Sequence, residues 1–116
     1  MPESLRQMTC TPYESGEPPA TVAELAEYHR QVPDWRLTTR GGIQRLERSF
    51  EFKDFREALD FTNRVGEMAE REGHHPSIVT EWGCVEVEWW TRAIGGLHRN
   101  DFIMAAKTDE LYEADR

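Results

Sequence analysis

The feature that most constrains this chain is a change of hydrophobic period: blocks of alternating residues flank one long helical repeat. Phe55, Ala58, Leu59, Thr62, Val65, Met68 and Ala69 recur at spacings of three and four, which places them on one face of an α-helix. Asp54 and Glu57 have the spacing of a capping box, and Gly73 suits the left-handed position that closes a helix. Before this helix, Trp35, Leu37 and Thr39 alternate with Arg36, Thr38 and Arg40, and Gly41-Gly42 reads as a turn. Ile43 to Phe52 then alternates again, with Phe50 and Phe52 on one face and Arg48 in phase with them. After the helix, Ile78–Trp82 and Cys84–Trp90 read as a second pair of strands around Gly83. Val85, Val87 and Trp89 share one face of the last strand, and Glu86, Glu88 and Trp90 share the other.

A helix capped by Thr21 and carrying Val22, Leu25, Ala26 and His29 precedes the first pair and ends before Pro33. A final helix, capped by Asn100 or Asp101, carries Phe102, Ile103, Ala106 and Leu111. The order α-β-β-α-β-β-α predicts an α+β fold, an antiparallel sheet with helices packed on one face. At 116 residues one domain is expected, with residues 1–19 a flexible acidic lead marked by Pro2, Pro12, Pro18 and Pro19, and residues 20–116 the folded part. No apolar run approaches the roughly 20 residues of a membrane helix. Met1 to Pro19 lacks the basic start and apolar core of a secretory signal. Cys10 and Cys84 lie in no CxxC pattern, so reduced thiols in a cytoplasmic protein are expected. The net charge of −8 argues against direct nucleic acid binding.

The candidate chemistry lies at His74-His75-Pro76, just past the long helix. Pro76 pushes His75 towards an extended backbone, and neighbouring side chains on such a backbone diverge. The helix C-terminus favours a protonated imidazole, and histidine titrates near neutral pH, so proton transfer is a natural use. Two other readings stay open here: a histidine capping helix carbonyls beside a surface histidine, and a zinc set of His74, His75, Cys84 and His98. The second matches no compact ligand spacing, so no metal is expected.

The wider frame is more specific. Ser49-Phe50-Glu51-Phe52-Lys53-Asp54-Phe55, Ala58, Phe61 and Arg64-Val65 lead into Glu70-Arg71-Glu72-Gly73-His74-His75-Pro76. Trp82, Val85-Glu86-Val87, Trp90-Thr91, Gly95-Gly96-Leu97 and Asn100-Asp101 follow. This frame, residues 21–111, closely resembles the pterin-4a-carbinolamine dehydratases. The resemblance implies a four-stranded sheet and a homodimer or homotetramer. It implies dehydration of a pterin substrate, 4a-hydroxytetrahydrobiopterin, to the quinonoid dihydropterin, with no metal or organic cofactor. It makes His74 and His75 the paired catalytic histidines. Glu70, Pro76, Ser77 and Trp82 become substrate-binding residues, with Glu70 orienting an imidazole and Trp82 a pocket wall. Asp101 keeps the ordinary role of an acid at a helix start.

One departure matters. The family's third catalytic histidine falls at Arg92, and arginine stays protonated at any working pH. Ser77 also stands where the family often has an acid, and His98 offers an imidazole on a nearby turn. The resemblance therefore leaves three outcomes: catalysis by two histidines at a reduced rate, an Arg92 that binds an anionic pterin substituent, or a dehydratase-like protein that serves binding or assembly. The last has family precedents in a dimerisation cofactor and a carboxylase assembly factor.

Overall fold

The computed structural model describes residues 4–11 and 18–114. Its elements are α1 (Val22–His29), β1 (Arg36–Arg40), β2 (Ile43–Glu51), α2 (Phe55–Glu72), β3 (Ser77–Glu81), β4 (Cys84–Trp89) and α3 (Arg99–Ala114). Single 3-10 turns lie at Leu5–Gln7 and Arg92–Ile94. The four strands form one antiparallel sheet in the order β1-β2-β4-β3. Two hairpins are thus joined through their inner strands, and α2 makes the connection between them. Gly41 and Gly42, with φ of 55° and 78°, supply the left-handed residues that a two-residue hairpin turn requires.

α2 forms where its sequence periodicity places it. The Asp54 carboxylate accepts the Glu57 N–H at 2.9 Å, and Gly73 closes the helix at φ 69°. The helix buries Ala58, Phe61, Val65, Met68 and Ala69 against the sheet face made by Leu46, Phe50, Val85, Val87 and Trp89. Phe50, Phe52, Phe61 and Tyr112 form an aromatic cluster with ring centroids 4.9–5.8 Å apart. Trp35, expected in the first strand, instead precedes it. Its backbone N–H bonds to the Val32 carbonyl, and its indole N–H reaches Asp109 at 2.8 Å. Arg48 enters the helix side as its phase predicts and ion-pairs with Asp109 at 2.6 Å. Burial pushes the Asp109 carboxyl up, while Trp35 and Arg48 oppose the shift.

Two expectations need correction. Residues 4–11 are not a loose lead, because Leu5 is buried and belongs to the core. The Leu5 N–H bonds to Gln31, the Cys10 N–H to Glu72 and the Thr11 N–H to Asn100. Pro2 and Pro12 lie outside the described residues. In addition, α3 starts at Arg99, so His98 rather than Asn100 or Asp101 is its cap. The His98 Nδ1 accepts the Asn100 N–H at 3.1 Å, and the His98 N–H donates to Asp101 at 2.9 Å. The covering of α3 by residues 4–11 also explains why it is buried on nearly all sides from Asn100 to Ala106.

The outer face of the sheet is a charge lattice. Glu47 and Glu88 face each other across β2 and β4, and both are buried. Arg36 and Arg40 reach Glu47, and Arg40 and Arg45 reach Glu88. Burial opposes ionisation of Glu47, but its hydrogen bonds with Glu88 and Arg36 outweigh that and hold it below the usual carboxylate range. Glu88 is pushed above that range by burial and by Glu47.

Candidate active site

The left-handed Gly73 turns the chain off α2 and lets the His74 N–H bond back to the Ala69 carbonyl at 3.2 Å. The chain then extends through Pro76 into β3, and the two histidine side chains part as an extended backbone requires. His74 turns inward, where its ring stacks on Trp89 at 5.8 Å with an interplanar angle of 11°. Its Nε2 lies 2.6 Å from the Asp101 carboxylate. Asp101 is fully buried, and its second oxygen accepts the Thr91 hydroxyl at 2.8 Å and the His98 N–H at 2.9 Å. These three donors offset a desolvation cost that a bare buried carboxylate would bear in full. With that partner the proton sits on Nε2, and Nδ1 is left to exchange a second one.

His75 turns outward, with 57% of its side chain exposed. Its Nε2 pairs with the carboxylate of Glu70, in the last turns of α2. Two consecutive imidazoles are therefore each backed by a carboxylate, one deep and one at the surface. Beside Glu70 a shallow groove of about 620 Å³ runs between α2 and β3, lined by Thr62, Gly66, Glu70 and Ile78 among others. Arg92 contacts the backbone of His75. Its Nη1 donates to the His75 carbonyl at 3.1 Å, and its guanidinium lies 4.2 Å from the Trp90 ring centroid. Arg45 lies 4.0 Å from the same ring.

The structure thus brings together Glu70, His74, His75, Pro76 and Arg92. Ser77 follows directly as the first residue of β3, paired with Glu88. Trp82 does not join them. It is 73% exposed at the tip of the β3–β4 hairpin, and β3 alone separates it from the histidines by roughly 16 Å at the rise of a strand. The His98 ring caps α3 through Nδ1. Cys84 pairs with Glu81 at the far end of β4, so the zinc set considered from sequence is not assembled. Asp101 and Trp89 are the site residues that local reasoning missed. An acid in the first turn of a helix ordinarily faces solvent, and only tertiary packing brings this one to His74.

A sheet layered with helices, carrying two histidine–carboxylate couples just before β3, defines the structural class. The comparisons give that class its family. Residues 18–111 match the family model described as pterin 4 alpha carbinolamine dehydratase, and the chain belongs to that family. A protein of Syntrophotalea carbinolica, provisionally named pterin-4-alpha-carbinolamine dehydratase, is 58% identical over 111 residues, covering 96% of this chain and 99% of its own. A Gloeobacter violaceus protein of the same provisional name is 56% identical over 108 residues, with 93% of each chain covered. Among solved structures, the transcriptional coactivator/pterin dehydratase of Brucella melitensis superposes with a TM-score of 0.74 at 30% identity, over 81% of this chain and 98% of its own. A pterin dehydratase-like protein described as a RuBisCO assembly factor in the alpha-carboxysome superposes at 0.58 with 20% identity, over 68% and 89%, and shares the fold. Among the described residues no helix is long and apolar enough to cross a membrane.

Proposed function

We propose that this chain dehydrates 4a-hydroxytetrahydrobiopterin to the quinonoid dihydropterin, with His75 and His74 as the proton-transfer pair. The observation that carries the reading is the pairing of consecutive imidazoles with separate carboxylates, His75 with Glu70 and His74 with Asp101. The reaction breaks the bond from C4a to the hydroxyl oxygen and the N5–H bond. The N–H electron pair forms the C4a–N5 double bond, and water leaves. His75, on the exposed side, delivers the proton that converts the hydroxyl into water. His74 receives the N5 proton, and Asp101 balances the positive charge that then forms on its ring. Exchange with solvent returns both rings to their starting states. No electrons pass between molecules, so the step calls for no redox group.

Arg92 takes no part as an acid or base in this scheme. A missing acid/base group costs about 10²–10⁴ in rate, which a reaction that also proceeds without enzyme can bear. A homodimer or homotetramer in the cytoplasm, without nucleic acid contact, belongs to the same reading, and sedimentation of the purified chain tests the assembly. A second reading is favoured by Arg92 itself: a dehydratase-like binding or assembly protein that has given up the third histidine. One experiment separates the two. The carbinolamine is generated by a pterin-dependent hydroxylase and its decay followed with and without this protein. Acceleration that disappears in His75→Ala supports the dehydratase; no acceleration leaves the binding protein.

A further inference from the structure

Arg92 is held in place as a recognition group is held. Its guanidinium packs against Trp90, which is itself buried, and one N–H donates to the His75 carbonyl. The arginines of the neighbouring sheet face, Arg36, Arg40 and Arg45, each meet Glu47 or Glu88. Arg92 meets no carboxylate among the described residues, although the chain carries 22 acidic side chains. It is exposed and retains unused N–H donors. A guanidinium fixed by a ring and a carbonyl has already lost the freedom that an arginine normally loses on binding, and its planar fork suits a carboxylate or a phosphate. Glu70 pairs with the imidazole of the same His75 whose carbonyl Arg92 holds. A ligand bound at His75 therefore has both a carboxylate and a guanidinium among the groups that contact this one residue.

We infer that Arg92 is an anion-recognition residue at the edge of the pterin site, and that the natural ligand is a pterin whose side chain carries a carboxylate or phosphate. The inference rests on the pterin reading of the site but not on turnover. It explains the replaced histidine as a change of specificity: the position that lost an acid/base group gained a fixed charge. Trp90 acts through Arg92 as the ring that supports its guanidinium.

The test is equilibrium binding of two stable fluorescent probes, 6-carboxypterin and the neutral 6-hydroxymethylpterin, to the full chain. One charge-assisted contact should favour the carboxylate by roughly ten- to hundredfold, and the preference should shrink as salt is added. Arg92→Gln should abolish the preference. Arg92→Lys, which keeps the charge but not the planar fork, should retain part of it and guards against a folding defect in the glutamine variant. Equal binding of both probes by the wild type overturns the inference and leaves the pterin reading standing. So does a preference that survives Arg92→Gln. Failure to bind either probe overturns both together.

Discussion

Replacing Asp101 by asparagine tests the proposed proton path at its most constrained point. Three donors converge on the wild-type carboxylate: His74 Nε2 on one oxygen, and the Thr91 hydroxyl and His98 N–H on the other. The His98 backbone N–H can only donate, so the single oxygen of the substituted amide must take its side. The amide NH₂ then faces His74 Nε2 and requires a lone pair there, which moves the ring proton to Nδ1. The nitrogen offered to the substrate as an acceptor becomes a donor, and no anion remains to balance a charged ring. The expected loss in kcat is about 10²–10⁴, the range for removing one acid/base function. Two of the three hydrogen bonds survive without charge assistance, so stability should fall by only about 1–3 kcal/mol. Stopped-flow decay of enzymatically generated carbinolamine gives the rate. Denaturant titration gives the stability, and ¹⁵N chemical shifts of His74 report the tautomer. A folded Asp101→Asn protein with the shifted tautomer and turnover within about threefold of wild type would refute the role of His74.

The remaining predictions concern different parts of the molecule. His75→Ala should lower turnover by about 10²–10⁴ while changing stability by less than about 0.5 kcal/mol, because the side chain is largely exposed; steady-state rates and a thermal melt check both halves. Leu5→Ala should cost about 3 kcal/mol in a denaturant titration, since Leu5 is 1% exposed, and a negligible change would mean that residues 4–11 are not part of the core. The folded protein binds a proton at Glu88 more tightly than the unfolded chain does, so Glu88 favours folding in acid, and that contribution is lost as pH rises through its raised folded value. Glu88→Gln should therefore be more stable than wild type near neutral pH and lose its advantage below about pH 4. Glu47 is shifted the other way, so Glu47→Gln should be less stable near neutrality and approach wild type as pH falls through the lowered folded value. Unfolding curves across pH distinguish the two.

The long helix and the inner strands could be read from the sequence because their causes are local. Asp54, Gly73 and the repeat from Ala58 to Ala69 all lie within α2 and its caps. The alternation of Val85, Val87 and Trp89 needs only a sheet with one covered face. The misreadings share the opposite origin. Trp35 leaves the strand for a partner at Asp109, and Leu5 is ordered by a slot that α3 completes near the other end of the chain. The site shows both cases within one residue. Read locally, Asp101 is an acid at a helix start, and one of its oxygens does accept the His98 N–H there. Its other oxygen holds an imidazole that arrives from the end of α2, and no spacing rule connects the two.

The same distinction changes what Arg92 means. Read along the chain, an arginine in place of a histidine is the loss of a proton carrier. In the folded protein each remaining histidine already has its own carboxylate, so a proton can be given and another taken without a third imidazole. The Arg92 side chain then has a structural consequence that histidine could not reproduce. Its guanidinium packs on Trp90 and donates to the His75 carbonyl, which sets a permanent charge at the backbone of the more exposed histidine. Both contacts hold the guanidinium itself, and they leave other N–H donors of that group unused. As an anion-recognition residue, Arg92 would serve the ligand rather than the proton transfer, so its effect should appear as selectivity among pterins.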